Sequence, residues 1–168
     1  PYAASDAFYS ALATLPALES IKLSNRGLRT RPEDESALAN PESLTQLLRV
    51  PSLRSVCFYS LFTPADCQAI ANAFIEGAVF PNLEFRYCSF SDGECAAMMA
   101  SGLGRNTSVS HIKVVSWRDQ ALFGVLATAL PSNSTLRRLD LILRGRDDNA
   151  GRDDNAHLSP VLLALIKN

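Results

Sequence analysis

The residues able to do chemistry in this sequence are the cysteines Cys57, Cys67, Cys88 and Cys95, the histidines His111 and His157, and two polar loops rich in arginine and aspartate. A zinc site needs several Cys or His side chains converging at tetrahedral spacing. Here no two cysteines form a C-x-x-C pair, and neither histidine lies near a suitable pair. Cys67 and Cys95 are 28 residues apart, a spacing that makes them buried core thiols in equivalent slots of successive structural units. Cys57 falls in an outward slot and would be a reactive thiol only if a cation lowered its pKa. The sequence Gly145-Arg-Asp-Asp-Asn-Ala150 is repeated at once as Gly151-Arg-Asp-Asp-Asn-Ala156. Its Asp pairs lack the D-x-D-x-D-G order of a calcium loop, so residues 145–156 read as a duplicated polar surface loop. The phosphate loop, the nucleophile elbow and the H-E-x-x-H helix are all missing. The expectation is a protein with no catalytic residues, no metal and no cofactor.

What remains is a set of side chains suited to contact. Tyr59, Arg86, Tyr87 and Trp117 are of the types that most often anchor protein interfaces, with large area, few rotors and a polar tip. His111, Lys113 and Arg138 add charge and hydrogen-bonding capacity. Whether they act together depends on the elements that carry them.

Those elements repeat. Leu18-Glu-Ser-Ile21-Lys-Leu23, Leu53-Arg-Ser-Val56-Cys-Phe58, Val109-Ser-His-Ile112-Lys-Val114 and Leu136-Arg-Arg-Leu139-Asp-Leu141 share the pattern L-x-x-L-x-L. A fifth stretch fits as Leu83-Glu-Phe85, with Phe80 in its first slot. The middle apolar residues fall at 21, 56, 83, 112 and 139, giving steps of 35, 27, 29 and 27. The first step is long because of a polar insertion over 29–40. Between these stretches the apolar period changes from 2 to 3.6, predicting helices over 6–15, 36–48, 66–75, 94–103, 119–130 and 159–166. Thr63-Pro64, Ser91-Asp92 and Ser159-Pro160 mark helix starts.

One strand–helix unit cannot bury its apolar face alone, so the units must stack. Each connection returns through a helix, which makes the strands parallel and sets all the helices on one side. The fold expected is an α/β leucine-rich repeat solenoid of about five repeats over 1–168, curved, with parallel strands on the concave side and helices on the convex side. The segments Asn106-Thr-Ser-Val109-Ser-His-Ile112-Lys-Val114 and Asn133-Ser-Thr-Leu136-Arg-Arg-Leu139-Asp-Leu141 resemble the ribonuclease-inhibitor-like class of leucine-rich repeats, and Tyr87-Cys88-Ser-Phe90-Ser-Asp-Gly93 is similar to its C-x-L-T-x-x-G segment. The resemblance covers about residues 15–143. The chain departs from the pattern at its irregular third strand, its long first repeat and Leu61. The resemblance implies a concave protein-binding surface. It also implies a second reading, a Ran-activator-like regulator of a GTPase acting through the first long loop with Arg26, Arg29 and Arg31, although no motif of such activators matches there.

In this pattern the x slots face away from the core. Tyr59, Arg86, Tyr87, His111, Lys113 and Arg138 then share one face of adjacent repeats, with Trp117 just beyond. The column Lys22, Cys57, Glu84, Lys113, Asp140 is expected to be a solvated ladder, worth a few tenths of a kcal/mol per pair. The expected partner is a protein. A net charge of -1, with Lys+Arg 16 against Asp+Glu 17, gives no basic excess for nucleic acid. No apolar run reaches the roughly 18 residues that cross a bilayer, and no signal peptide opens the chain. Unpaired thiols point to a reducing, cytoplasmic compartment. Starting at Pro1, the chain reads as a piece of a longer array or a processed product. Ile142 and Leu143, in slots that are normally polar, invite self-association at the last strand.

Overall fold

A computed structural model describes residues 6–25, 38, 40–116 and 120–143. In chain order they form α1 (Asp6–Ala13), β1 (Ser20–Ser24), α2 (Pro41–Leu48), β2 (Ser55–Tyr59), β3 (Leu61–Phe62), α3 (Pro64–Glu76), β4 (Asn82–Arg86), β5 (Ser89–Phe90), α4 (Gly93–Arg105), β6 (His111–Ser116), α5 (Gln120–Ala129), a short 3-10 turn (Leu130–Ser132) and β7 (Arg138–Leu143). The protein is α/β. Five strands make one parallel sheet in the order β1-β2-β4-β6-β7, and β3 and β5 make a second, two-stranded one. Successive helices pack side by side, α1 on α2, α2 on α3, α3 on α4 and α4 on α5.

The register follows the apolar slots. Ile21, Val56, Leu83, Ile112 and Leu139 are aligned across the sheet, as are Leu23, Phe58, Phe85, Val114 and Leu141. These rungs join the core that the helices complete with Leu44, Leu48, Ile70, Phe74, Met99, Leu103, Val125 and Leu126. Fully burying one such side chain contributes roughly 1.5–3 kcal/mol. At its centre Phe58, Phe62 and Phe85 are completely buried. The Phe58 ring lies 5.4 Å from Phe62 and 6.0 Å from Phe85, and Phe90 packs 5.4 Å from Phe62. Phe80 is fully buried in the slot that Leu53 and Val109 fill in neighbouring units.

Local chemistry sets the helix ends. Thr63 caps α3 in a reciprocal capping box with Asp66, and Pro64 stands at the first helical position. The start of α4 belongs to Asp92, not Ser91, because the Asp92 carboxylate accepts the Cys95 N–H at 2.8 Å. The helix expected from residue 36 begins instead at Pro41, where the Asn40 side chain accepts the Glu42 N–H at 2.9 Å. Pro41 disfavours helical backbone at residue 40, so the helix cannot extend back through it. The helix expected over 159–166 and the duplicated loop over 145–156 lie outside the described residues.

The turns leading into the strands come in two kinds. Asn106 and Asn133 are buried and make matching sets of bonds. Asn106 Oδ1 accepts the N–H groups of Ser108 and Val109 at 3.0 and 2.7 Å, while Nδ2 donates to the carbonyls of Phe74 and Ala78. Asn133 does the same one unit later, accepting from Thr135 and Leu136 and donating to Leu103 and Asn106. Each amide thus closes its own turn and ties it to the preceding one. The equivalent positions earlier in the chain are Val50, which is buried, and Gly77, left-handed at φ 109.

One buried acid joins distant segments. Asp66 accepts the Leu38 N–H at 2.7 Å, the Thr63 N–H at 3.0 Å and the Thr63 hydroxyl at 2.8 Å. The Tyr9 hydroxyl of α1 donates to the Leu38 carbonyl at 2.8 Å. Burial pushes the Asp66 carboxyl up, and the bonds from Thr63 and Leu38 pull it back only in part.

Candidate functional site

The alternation of the strands puts Lys22, Cys57, Glu84, Lys113 and Asp140 in one rung on the side away from the helices. Tyr59 and Arg86 stand further along their strands, and His111 and Arg138 face each other in register. Of the expected contact residues, six are therefore brought onto one face of the sheet. The seventh, Trp117, and the arginines 26, 29 and 31 lie outside the described residues.

Tyr87 arrives there by a different route. It follows the last residue of β4 and is the one described non-glycine residue with positive φ, at 49°. A non-glycine residue in this region costs roughly 1–3 kcal/mol and persists only when its surroundings hold it. Here its N–H donates to the Val115 carbonyl at 2.7 Å. The turn brings its ring edge-on to Tyr59, with centroids 5.8 Å apart. The Lys22 ammonium sits over the Tyr59 ring, 5.6 Å from its centroid, a contact favourable by about 0.5–1 kcal/mol at exposed sites.

The charges beside this aromatic pair are organised around two carboxylates. Glu84 Oε1 is 2.9 Å from Arg86 Nε and 3.1 Å from Lys113 Nζ. Glu84 Oε1 and Arg86 Nε are shut off from solvent without an aligned hydrogen-bond partner, so their attraction is that of a close ion pair. Burial pushes the Glu84 carboxyl up, but Arg86 and Lys113 together outweigh it and hold the group below its ordinary range. Asp140 receives Arg138 Nε at 2.9 and 3.0 Å on its two oxygens and lies 3.0 Å from His111 Nε2. The Arg138 side chain is the main reason the Asp140 carboxyl is held down. The pairs of the charged column run within strands as well as across neighbouring rungs. Its acids are clamped within a strand by arginines two residues away and across strands by Lys113 and His111. The i, i+2 pairs Glu84/Arg86 and Arg138/Asp140 were the sequence signal for this, since residues two apart in a strand share a face.

Cys57 is half-buried, and burial and Glu84 push its pKa up, outweighing Arg86 and Lys22. Cys67 and Cys95 are fully buried. Burial, with Cys95 beside it, raises the Cys67 thiol. None of the four cysteines forms a disulfide. Among the described residues no group of three or more His, Cys, Asp or Glu side chains is placed to hold a metal ion, and no helix is long and apolar enough to cross a membrane. An open depression between α1 and α2, bordered by Ser10, Thr14, Gln46 and Arg49, has no converging set of polar groups, and Arg49 is paired with Glu76 at 3.2 Å.

No family model matches the chain, and no curated protein matches it.

Proposed function

We propose that the chain is a leucine-rich repeat module, without chemistry of its own, that binds a protein partner through the face of the five-stranded sheet turned away from its helices. Strands ordered as they occur in the sequence, with apolar slots aligned rung by rung, support the repeat reading. The observation that carries the binding reading is the contiguous surface of Tyr59, Tyr87 and Arg86, flanked by the clamped acids Glu84 and Asp140. Its side chains are already oriented by one another, so little freedom is lost when a partner arrives. Aromatic rings and arginine at the centre of a polar surround are the usual make-up of an interface hot spot.

The test is affinity capture from source-cell lysate with the wild-type chain beside a Tyr59→Ala/Arg86→Ala/Tyr87→Asn variant. Asn is chosen at 87 because it tolerates positive φ. Circular dichroism establishes that both are folded. A protein retained by the wild type and lost by the variant is the expected result. Identical retention by the two removes this face as the site.

A further inference from the structure

The charge on the sheet face is unbalanced, and the imbalance selects a kind of partner. Building on the proposed binding face, we infer that the segment docking there is an acidic stretch of polypeptide. At the outward positions of the strands, the described cations are Lys22, Arg86, Lys113 and Arg138, against the carboxylates Glu84 and Asp140. With His111 left aside the face is net positive, whereas the chain as a whole carries -1. The rest of the sequence is therefore net acidic, and this face carries a small local excess of positive charge.

The pairing sharpens the point. Both carboxylates are already engaged, Glu84 by Arg86 and Lys113, Asp140 by His111 and Arg138. A basic partner would have to break these pairs to reach them. The cations are not used up in the same way. An arginine has five N–H donors and a lysine three. The Arg86, Lys113 and Arg138 side chains keep 43%, 34% and 68% of their surface in solvent. Carboxylates, which only accept, complement such leftover donors, and arginine binds them with two parallel bonds.

Single-stranded nucleic acid fits less well. It needs aromatic faces open for stacking and a groove of cations along the backbone. Here the Tyr59 ring has the Lys22 ammonium over it and Tyr87 edge-on to it, and the excess of cations over carboxylates on the face is small.

The test uses the full chain and three labelled probes of equal length, followed by fluorescence anisotropy at low and high salt: a Glu-Ser-Leu repeat peptide, a Lys-Ser-Leu repeat peptide and an oligothymidylate. The acidic peptide is expected to bind about tenfold or more tighter than the other two and to weaken at high salt. Lys113→Gln and Arg138→Gln should each weaken it by about two- to fivefold, the range for exposed charge pairs. Glu84→Gln and Asp140→Asn should each tighten it, since they free cations. A merely structural role for these acids predicts the opposite sign. Comparable binding of either other probe, absence of binding by the acidic one, or weakening by the Glu84 and Asp140 variants overturns the inference. The two readings separate in the capture experiment. A captured protein lost by the tyrosine–arginine variant but indifferent to Lys113→Gln, Arg138→Gln and salt keeps the binding face and overturns its acidic partner. A captured protein indifferent to all of them overturns both.

Discussion

The turns that lead into β2 and β4 and those that lead into β6 and β7 solve the same problem by opposite means. In the later pair, Asn106 and Asn133 satisfy buried backbone groups with side-chain amides. In the earlier pair, Val50 fills the slot with apolar volume, and the Leu53 N–H is met by the Val50 carbonyl itself at 3.0 Å. Gly77 takes a left-handed backbone that ends α3, letting the Ala78 N–H reach the Ala73 carbonyl at 2.8 Å. One side-chain device persists where the amide is absent. The Ser52 hydroxyl donates to the Leu18 carbonyl at 3.0 Å, as the Thr135 hydroxyl does to the Val109 carbonyl at 3.1 Å. The lesson is that the fold requires the turn's backbone groups to be satisfied, and not any one residue type to satisfy them. The cost of a substitution therefore depends on which device it removes.

The largest effect is expected at the amide ladder. Asn106→Ala leaves the buried Val109 N–H and Phe74 carbonyl and the half-buried Ser108 N–H without this partner, while the Ala78 carbonyl keeps the Ser108 hydroxyl, and at about 1–3 kcal/mol per orphaned group the loss should reach roughly 3 kcal/mol or more. Val50→Ala, at an equivalent position, removes only apolar volume and should cost about 1–2 kcal/mol. Urea denaturation of the two variants checks the ranking, and equal losses would collapse the distinction between the turns. A smaller effect is expected at Gly77. A Cβ there meets nothing within 4 Å, so Gly77→Ala costs only the left-handed backbone, about 1–2 kcal/mol. Gly77→Asn should recover part of that, because Asn tolerates this region.

The smallest effect separates both kinds of turn from the sheet face. The ladder amides do not titrate, but Glu84 does. Its carboxyl is held below its ordinary range by Arg86 and Lys113 against the pull of burial. A depressed folded-state pKa gives stability that is present above the unfolded carboxylate value and lost as pH falls through the folded one. Thermal melts between neutral pH and pH values below the carboxylate range should show this part of the loss at a few tenths of a kcal/mol, since the pair is partly solvent-screened. Glu84→Gln should flatten that part of the profile, while Asn106→Ala should shift the whole curve and keep its slope.

Much of this was legible in the sequence where period 2 rules. The column from Lys22 to Asp140 could be read directly, because a buried face fixes strand register to the residue. Phe80 was legible for the same reason, as an apolar residue keeping its distance from Leu83 and Phe85. Three things were hidden. The pairing of β3 with β5 involves only Leu61–Phe62 and Ser89–Phe90, too short to show a period, although their offset of 28 residues equals that between Cys67 and Cys95. The left-handed turn at Tyr87 carries no glycine or asparagine to announce it. The cross-strand half of the clamping, Lys113 on Glu84 and His111 on Asp140, depends on side-chain reach that a linear pattern does not encode, whereas the half made by Arg86 and Arg138 follows from their i, i+2 spacing.

Asp66 has a consequence for how the chain bears load. Its carboxylate holds Leu38, and Leu38 holds the Tyr9 hydroxyl of α1. A pull on the first helix is therefore delivered straight to the start of α3, bypassing β1, although β1 lies between Tyr9 and Leu38 in the chain. An extension experiment loaded from the N-terminal end should feel this linkage in parallel with the packing of α1 on α2.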